Sequence, residues 1–264
     1  MYTLDSSPTL TNCRFTNNSA RYCGGMYTLD SSPTLTNCTF TENSAKFGGG
    51  MSNLDQSTST QISCAFANNL AVFGGGMYND FSRPTLTDCT FTANSARFGG
   101  GGMYNYDRSE PTLTGCTFAN NTGKFAAGMY NGDRSSPTLA NCTFTGNSNL
   151  DQVGSGGGMY NNDSSPTLTD CNFCGNTTSG SGNRNVQGDI DASSSGNLLL
   201  LNCNPGDVNF DLEINREDLF YVLGRWGANS VLNADINQDG EVNGADLAYI
   251  LGYFGGPTDG TTAP

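Results

Sequence analysis

The stretch Ser31 to Met51 reads SSPTLTNCTFTENSAKFGGGM, and near-copies of it recur down most of the chain. Set Met beneath Met, the seven methionines (Met1, Met26, Met51, Met77, Met103, Met129, Met159) stand 25, 25, 26, 26, 26 and 30 residues apart. A steady period of that size marks a solenoid, in which one supersecondary unit stacks on its own copies. Each unit reads G-G-M-Y-x-x-D, S-x-P-T-L-T-N, C-T-F-T-x-N and S-A-x-F-G-G. These are short alternating segments punctuated by Gly, Asn, Asp or Pro, with no helical period. The expected coil is that of a three-faced parallel β-helix.

Alternation assigns the faces. Met26, Leu35, Cys38 and Phe40 should point inward, and Tyr27, Thr34, Thr36, Thr39 and Thr41 outward. Parity breaks at Asn37, whose equivalents are Asn12, Ser63, Asp88, Gly115, Asn141 and Asp170, so a tight corner is expected there. A second Asn closes each F-x-x-N (Asn18, Asn43, Asn69, Asn94, Asn121, Asn147, Asn176). Pointed inward, its amide would bond the turn backbone and the coils above and below. The seven C-x-F cysteines (13, 38, 64, 89, 116, 142, 171) should form a column of buried free thiols. Disulfides are disfavoured there because side chains on adjacent parallel strands run side by side. Cys174 falls on an outward parity and Cys203 ends the last coil; these two would pair in an exported protein.

Composition excludes several function classes. Only 13% of the 264 residues are charged and 35 are Gly, poor material for amphipathic helices. A formal net charge of −13 argues against nucleic acid or an anionic membrane surface as partner. No apolar run reaches membrane-spanning length. There is no His, which removes most zinc sites and every Ser–His or Cys–His catalytic arrangement.

The G-G-M and F-x-x-N repeats from Met1 to about Cys203 resemble the right-handed parallel β-helices of bacterial surface proteins, including the polymorphic outer-membrane proteins. The resemblance implies a right-handed solenoid of about seven coils. Relatives of that fold include polysaccharide lyases and hydrolases, whose chemistry needs a carboxylate pair or a basic residue beside an acidic cation site. Arg83, Arg108 and Arg134 follow the Asp turn, and Asp151 lies in the insertion SNLDQVGSG, yet irregularities are few. Two outward ladders remain as a candidate ligand face: Tyr27, Tyr78, Tyr104, Tyr130 and Tyr160 (with Tyr2), and Asp30, Asp80, Asp107, Asp133 and Asp163 (with Asp5 and Asp55). Such a face could stack sugars or hold Ca²⁺. The reading preferred here is that Tyr stacks on Tyr and Asp caps a turn. Outward Thr pairs as an ice-binding face rank lower, since Thr is simply a good strand residue.

After NLLLLNC the pattern changes. DVNFDLEINRED and DINQDGEVNGAD begin 28 residues apart, each with oxygen ligands at loop positions 1, 3, 5, 7, 9 and 12. These are Asp207, Asn209, Asp211, Glu213 (carbonyl), Asn215 and Asp218, then Asp235, Asn237, Asp239, Glu241 (carbonyl), Asn243 and Asp246. Nine acidic and two basic residues from Pro205 to Gly256 would repel one another without a cation, so Ca²⁺ is the expected cofactor. An apolar helix-like run follows each loop. The pair is similar to a type I dockerin, which implies Ca²⁺ binding and a cohesin-like or cell-surface partner. Leu212 stands where that family has Gly, so the first loop should bind more weakly. Loop positions 10 and 11, which contact cohesin in many dockerins, match Arg216 and Glu217, then Gly244 and Ala245; they are not the familiar hydroxyl pair. The combination resembles secreted proteins of planctomycetes, in which such a module anchors or sorts.

The expected organisation is a β-helix over 1–203 with an irregular closing coil at 177–203, a calcium-binding helical module over 204–256 and a disordered tail at 257–264. The expected function is an extracellular structural or adhesive scaffold tethered through Ca²⁺. Its alternative is a polysaccharide-binding or polysaccharide-cleaving enzyme using the Tyr/Asp face. Because Met1 holds the repeat Met position, the leader and cap of a secreted protein are expected outside this chain. An open first coil would favour self-association along the solenoid axis into filaments.

Overall fold

The computed structural model describes residues 1–150, 156–179, 185–200, 216–227 and 241–253. The solenoid bends where sequence parity breaks. Asn12, Asn37, Ser63, Asp88, Gly115, Asn141 and Asp170 all take left-handed backbone, with φ between 51° and 64°. A short polar side chain or Gly tolerates that conformation, and one such residue per coil turns the strand through a corner. A second left-handed column precedes the F-x-x-N asparagine: Asn17, Glu42, Asn68, Ala93, Asn120, Gly146 and Gly175, with φ of 53–61°. Glu42 and Ala93 have no turn chemistry of their own, so this corner is imposed by its surroundings.

With left-handed corners at both columns each coil contributes to four parallel sheets, where three faces were expected. The Met strands, from Tyr2–Leu4 to Val186–Gln187, make an eight-stranded parallel sheet, and the T-F-T strands make another. The T-L-T strands form seven, and a shorter sheet of six runs from Ser44–Phe47 to Thr177–Thr178. Register is strict, with Met77 beside Met51 and Met103, and Phe66 beside Phe40 and Phe91. The G-G pair before each Met allows adjacent coils to close: a Cβ on Gly76 would lie 2.6 Å from the Gly102 carbonyl and 2.8 Å from the Phe91 ring.

The inward faces assigned from alternation are buried as expected. Met, Leu, Cys and Phe columns fill the bore, with Met26, Leu35, Cys38 and Phe40 fully buried. The rings from Phe15 to Phe173 stack with centroids 4.5–4.7 Å apart and planes within 4°, the spacing that parallel strand pairing dictates. The C-x-F cysteines are free. Each Sγ donates to the carbonyl two residues back, as in Cys38 to Thr36 at 3.4 Å and Cys89 to Thr87 at 3.4 Å, and thereby helps hold the corner. Cys174, of outward parity, is nonetheless buried and disulfide-bonded; the partner expected for it, Cys203, lies outside the described residues.

Two amide ladders run through this apolar bore. Asn43 Nδ2 donates to Asn69 Oδ1 (3.0 Å) and to the Phe15 carbonyl (2.8 Å), while its Oδ1 accepts from the Asn18 backbone and side chain. The pattern repeats through Asn69, Asn94, Asn121 and Asn147 to Asn176. Both donors and both lone pairs of each amide are therefore used, which is what burial of an amide demands. These bonds also hold the second corner. The other ladder, legible in M-Y-N but unassigned from sequence, links Asn53, Asn79, Asn105, Asn131 and Asn161 at 2.8–2.9 Å.

One coil breaks the rule. Gln61 occupies the Leu position, fully buried; its Nε2 reaches Ser59 Oγ, but its Oε1 has no partner. An unsatisfied buried acceptor costs about 1–3 kcal/mol. Gln61→Leu, which restores the column, should raise the urea midpoint by an amount equivalent to about 1–3 kcal/mol; an unchanged midpoint would refute the assignment.

Burial pushes the Cys23 thiol up from 9.0 to about 11 and raises Cys38 as well. Above pH 9 the unfolded thiols release protons that the folded ones retain. The stabilisation is therefore fully present below pH 9 and lost as pH rises toward 11. Urea midpoints measured across that window should fall, and Cys23→Ala should flatten the decline.

Candidate functional site

The C-terminal module has two helices in contact, α1 (Arg216–Leu223) and α2 (Gly244–Tyr253). Val222, Val242 and Ile250 are buried, and the Gly227 amide donates to the Val242 carbonyl at 2.9 Å, joining the segments beside the helices. Asn243 caps α2: its Oδ1 accepts from the Ala245 amide at 2.8 Å, while Asp246 Oδ2 accepts from the Asn243 amide at 2.9 Å. This reciprocal pair satisfies two helix-end donors.

Asp246 is a fully buried carboxylate. Its Oδ2 accepts from the Asn243 backbone amide, and the Asn243 side chain in turn donates through Nδ2 to the Glu241 carbonyl at 3.5 Å. An oxygen-only donor set at one loop end fits a hard cation such as Ca²⁺. The remaining expected ligands, Asp207, Asn209, Asp211, Glu213, Asn215, Asp235, Asn237 and Asp239, lie outside the described residues, as does the side chain of Asp218 on α1. Among the described residues no three acidic or thiol side chains gather as a metal centre. The first-turn residues Arg216, Glu217, Gly244 and Ala245 are all exposed.

On the solenoid, the Tyr ladder stacks. Tyr2 and Tyr27 lie 5.4 Å apart, Tyr78 and Tyr104 5.6 Å, Tyr104 and Tyr130 4.5 Å, and Tyr130 and Tyr160 meet edge-on at 5.6 Å. Ser52 takes the Tyr position in the third coil and splits the ladder in two. Six of the seven expected Asp residues (Asp5, Asp30, Asp55, Asp107, Asp133, Asp163) sit in left-handed turns, with φ of 43–53°.

Asp80 does not belong to that turn column. It pairs in register with Leu54 and Tyr106, one position earlier in the coil, and Phe81 takes the left-handed turn at φ 48°. Sequence alignment by the Y-x-x-D motif placed it wrongly because its coil reads Y-N-D-F. On the strand, Asp80 Oδ2 accepts from the Tyr78 hydroxyl at 3.2 Å. Burial, with the charges of Asp107, Asp55 and Asp133, holds its carboxyl above the usual range against the opposing pull of the hydrogen bond from Tyr78.

Next to Tyr78 runs an aromatic column not singled out from sequence, the Phe of S-A-x-F. Phe47 and Phe73 stack at 5.7 Å, Phe47 meets Tyr78 at 4.9 Å and 48°, and Phe73 meets Tyr104 at 5.4 Å and 67°. Gly99, one extra residue before Met103, bulges its strand so that Phe73 pairs with Gly99. These rings and Tyr106 enclose a recess of about 270 Å³.

Removing the cap and carboxylate at α2 tests the module locally. Asn243→Ala should cost about 1 kcal/mol of helix stability, and Asp246→Ala should cost more because it also strips the buried oxygen donor. Far-ultraviolet circular dichroism during thermal melting of the full chain reads both.

Residues 205–255 match the model of the dockerin type I domain. Such domains bind calcium and cohesin partners. No curated relative and no solved structure matches the chain. No helix among the described residues is long and apolar enough to cross a membrane. With the stacked parallel coils in place, residues 1–96 and 77–209 match the family described as the right handed beta helix region, and the chain belongs to that family.

Proposed function

We propose that this protein is an extracellular structural or adhesive scaffold whose solenoid is displayed by a Ca²⁺-dependent C-terminal module. Its boundaries on this reading are 1–203 for the solenoid, 204–256 for the module and 257–264 for a tail. The observation that carries the reading is the exposure of Arg216, Glu217, Gly244 and Ala245 at the starts of the two helices, while Asp246 behind them is buried. That is the arrangement for a cation folding the loops and leaving two helix ends to a cohesin-like or cell-surface partner. When bound, Ca²⁺ supplies the charge that lets Asp235, Asn237, Asp239, Glu241, Asn243 and Asp246 converge, and likewise Asp207, Asn209, Asp211, Glu213, Asn215 and Asp218. Leu212 in place of Gly weakens the first loop by about 1–2 kcal/mol.

The polysaccharide-cleaving reading rests on the Tyr/Asp face alone. There most of the rings stack on one another and six of the seven Asp residues sit in left-handed turns, which supports a structural role for most of both ladders.

Calorimetric titration of the full chain with Ca²⁺ should reveal two sites of unequal affinity. Asp235→Ala with Asp239→Ala should abolish the tighter one, and capture by an immobilised cohesin should be lost with it. Unchanged Ca²⁺ binding in that variant would overturn the assignment.

A further inference from the structure

The solenoid carries a second periodic feature, a cation one residue before each ring of the S-A-x-F column. Arg21 lies 5.3 Å from the Tyr22 ring centre, Lys46 4.8 Å from Phe47, Arg97 5.1 Å from Phe98 and Lys124 5.5 Å from Phe125. These contacts place positive charge over the negative face of each ring. The column fails at one coil. Val72 precedes Phe73, and no cation of the described residues lies over that ring.

The gap coincides with the other departures from the repeat. Phe73 forms a wall of the recess, with Phe47, Tyr78, Tyr104 and Tyr106 as the rest. Gly99 is an inserted residue whose strand shifts register beside Phe73, and a Cβ there would lie 3.0 Å from the Tyr104 ring. Asp80 has replaced the Leu of earlier coils, and its carboxylate accepts from Tyr78, which enriches the ring it faces. Neighbouring guanidinium groups do not neutralise it, since Arg83 pairs with Glu110 at 3.0 Å and Arg108 with Asp107 at 3.1 Å. Phe47 inclines to Tyr78 at 48° and Phe73 to Tyr104 at 67°, so the two aromatic columns form the sides of a trough rather than a flat platform, and the Asp80 carboxylate bonds the hydroxyl of its Tyr78 wall. A volume below the roughly 300–1,000 Å³ of ordinary ligand pockets suits a small head group.

We propose that this recess binds a small organic cation, a quaternary or alkylated ammonium group, seated against Phe73, Tyr78 and Tyr104 and facing the Asp80 carboxylate. The ligand supplies from outside the positive charge that the neighbouring coils supply from within. Aromatic faces attract such a group without forming hydrogen bonds, so an ammonium that has none to donate is favoured over a neutral sugar. The site is independent of the C-terminal module.

The test is calorimetry on the full chain with choline chloride, its uncharged isostere 3,3-dimethyl-1-butanol, and methyl β-glucopyranoside. Choline should bind at least ten-fold more tightly than either neutral probe. Tyr106→Ala, at a residue 41% exposed and so tolerant of truncation, should weaken choline several-fold. Val72→Lys should abolish binding by filling the gap in the cation column, while the melting temperature stays near that of the parent. Co-sedimentation with phosphatidylcholine vesicles would assign the ammonium to a lipid head group; choline binding without co-sedimentation would assign it to a soluble molecule. Choline binding no tighter than that of its isostere, tighter binding of the glucoside, or full binding by the Val72→Lys variant would each overturn the proposal.

Discussion

Everything in this solenoid depends on in-register stacking of parallel coils at one strand spacing. A residue in the bore meets its own counterpart above and below, so each position must be a side chain that packs on itself. Phe satisfies this by ring stacking at 4.5–4.7 Å. Asn satisfies it because an amide carries donor and acceptor together, so identical amides bond head to tail along the axis. The ladder does more than fill space, since it fixes the left-handed corner before it even where the corner residue is Glu42 or Ala93.

The same constraint makes departures informative. In a repeat where each side chain is matched to its neighbours, a substitution at one coil leaves something unmatched. Gln61 leaves an acceptor without a donor inside the bore. Ser52 interrupts the Tyr column, Val72 interrupts the cation column, Gly99 adds a residue to the strand beside Phe73, and Asp80 puts a carboxylate without a cationic partner among the described residues on the outside. The former is a flaw the fold tolerates; the latter has the chemistry of a binding site. A purely structural ladder would have no reason to concentrate four departures around one recess.

The C-terminal module follows a different logic. Its described helices are short, eight and ten residues, and under the proposed function Ca²⁺ supplies the charge that holds its acidic loops. The described solenoid coils satisfy nearly all their buried polar side chains internally, Gln61 Oε1 and Asn172 Oδ1 excepted. Under the proposed function, joining such a solenoid to a cation-dependent module would let attachment respond to calcium while the displayed surface does not.

The period, the parallel coil, the inward Met, Leu, Cys and Phe, the first corner and the Asn ladder of F-x-x-N could all be read from the sequence. Each is a local pattern that stacking merely repeats; the loops expected from spaced oxygens lie largely outside the described residues, and residues 205–255 match the dockerin type I domain. The tertiary structure alone decided the fourth side of the coil, because Glu42 and Ala93 carry no turn signal and take left-handed backbone only under the pull of the neighbouring amides. It alone placed Asp80 on a strand, since a one-residue shift between turn and strand is invisible until the coil is paired with Leu54 and Tyr106. The recess likewise exists only in three dimensions: Phe47, Phe73, Tyr78 and Tyr104 belong to different segments of different coils, and only the closing of each turn upon the last brings them together.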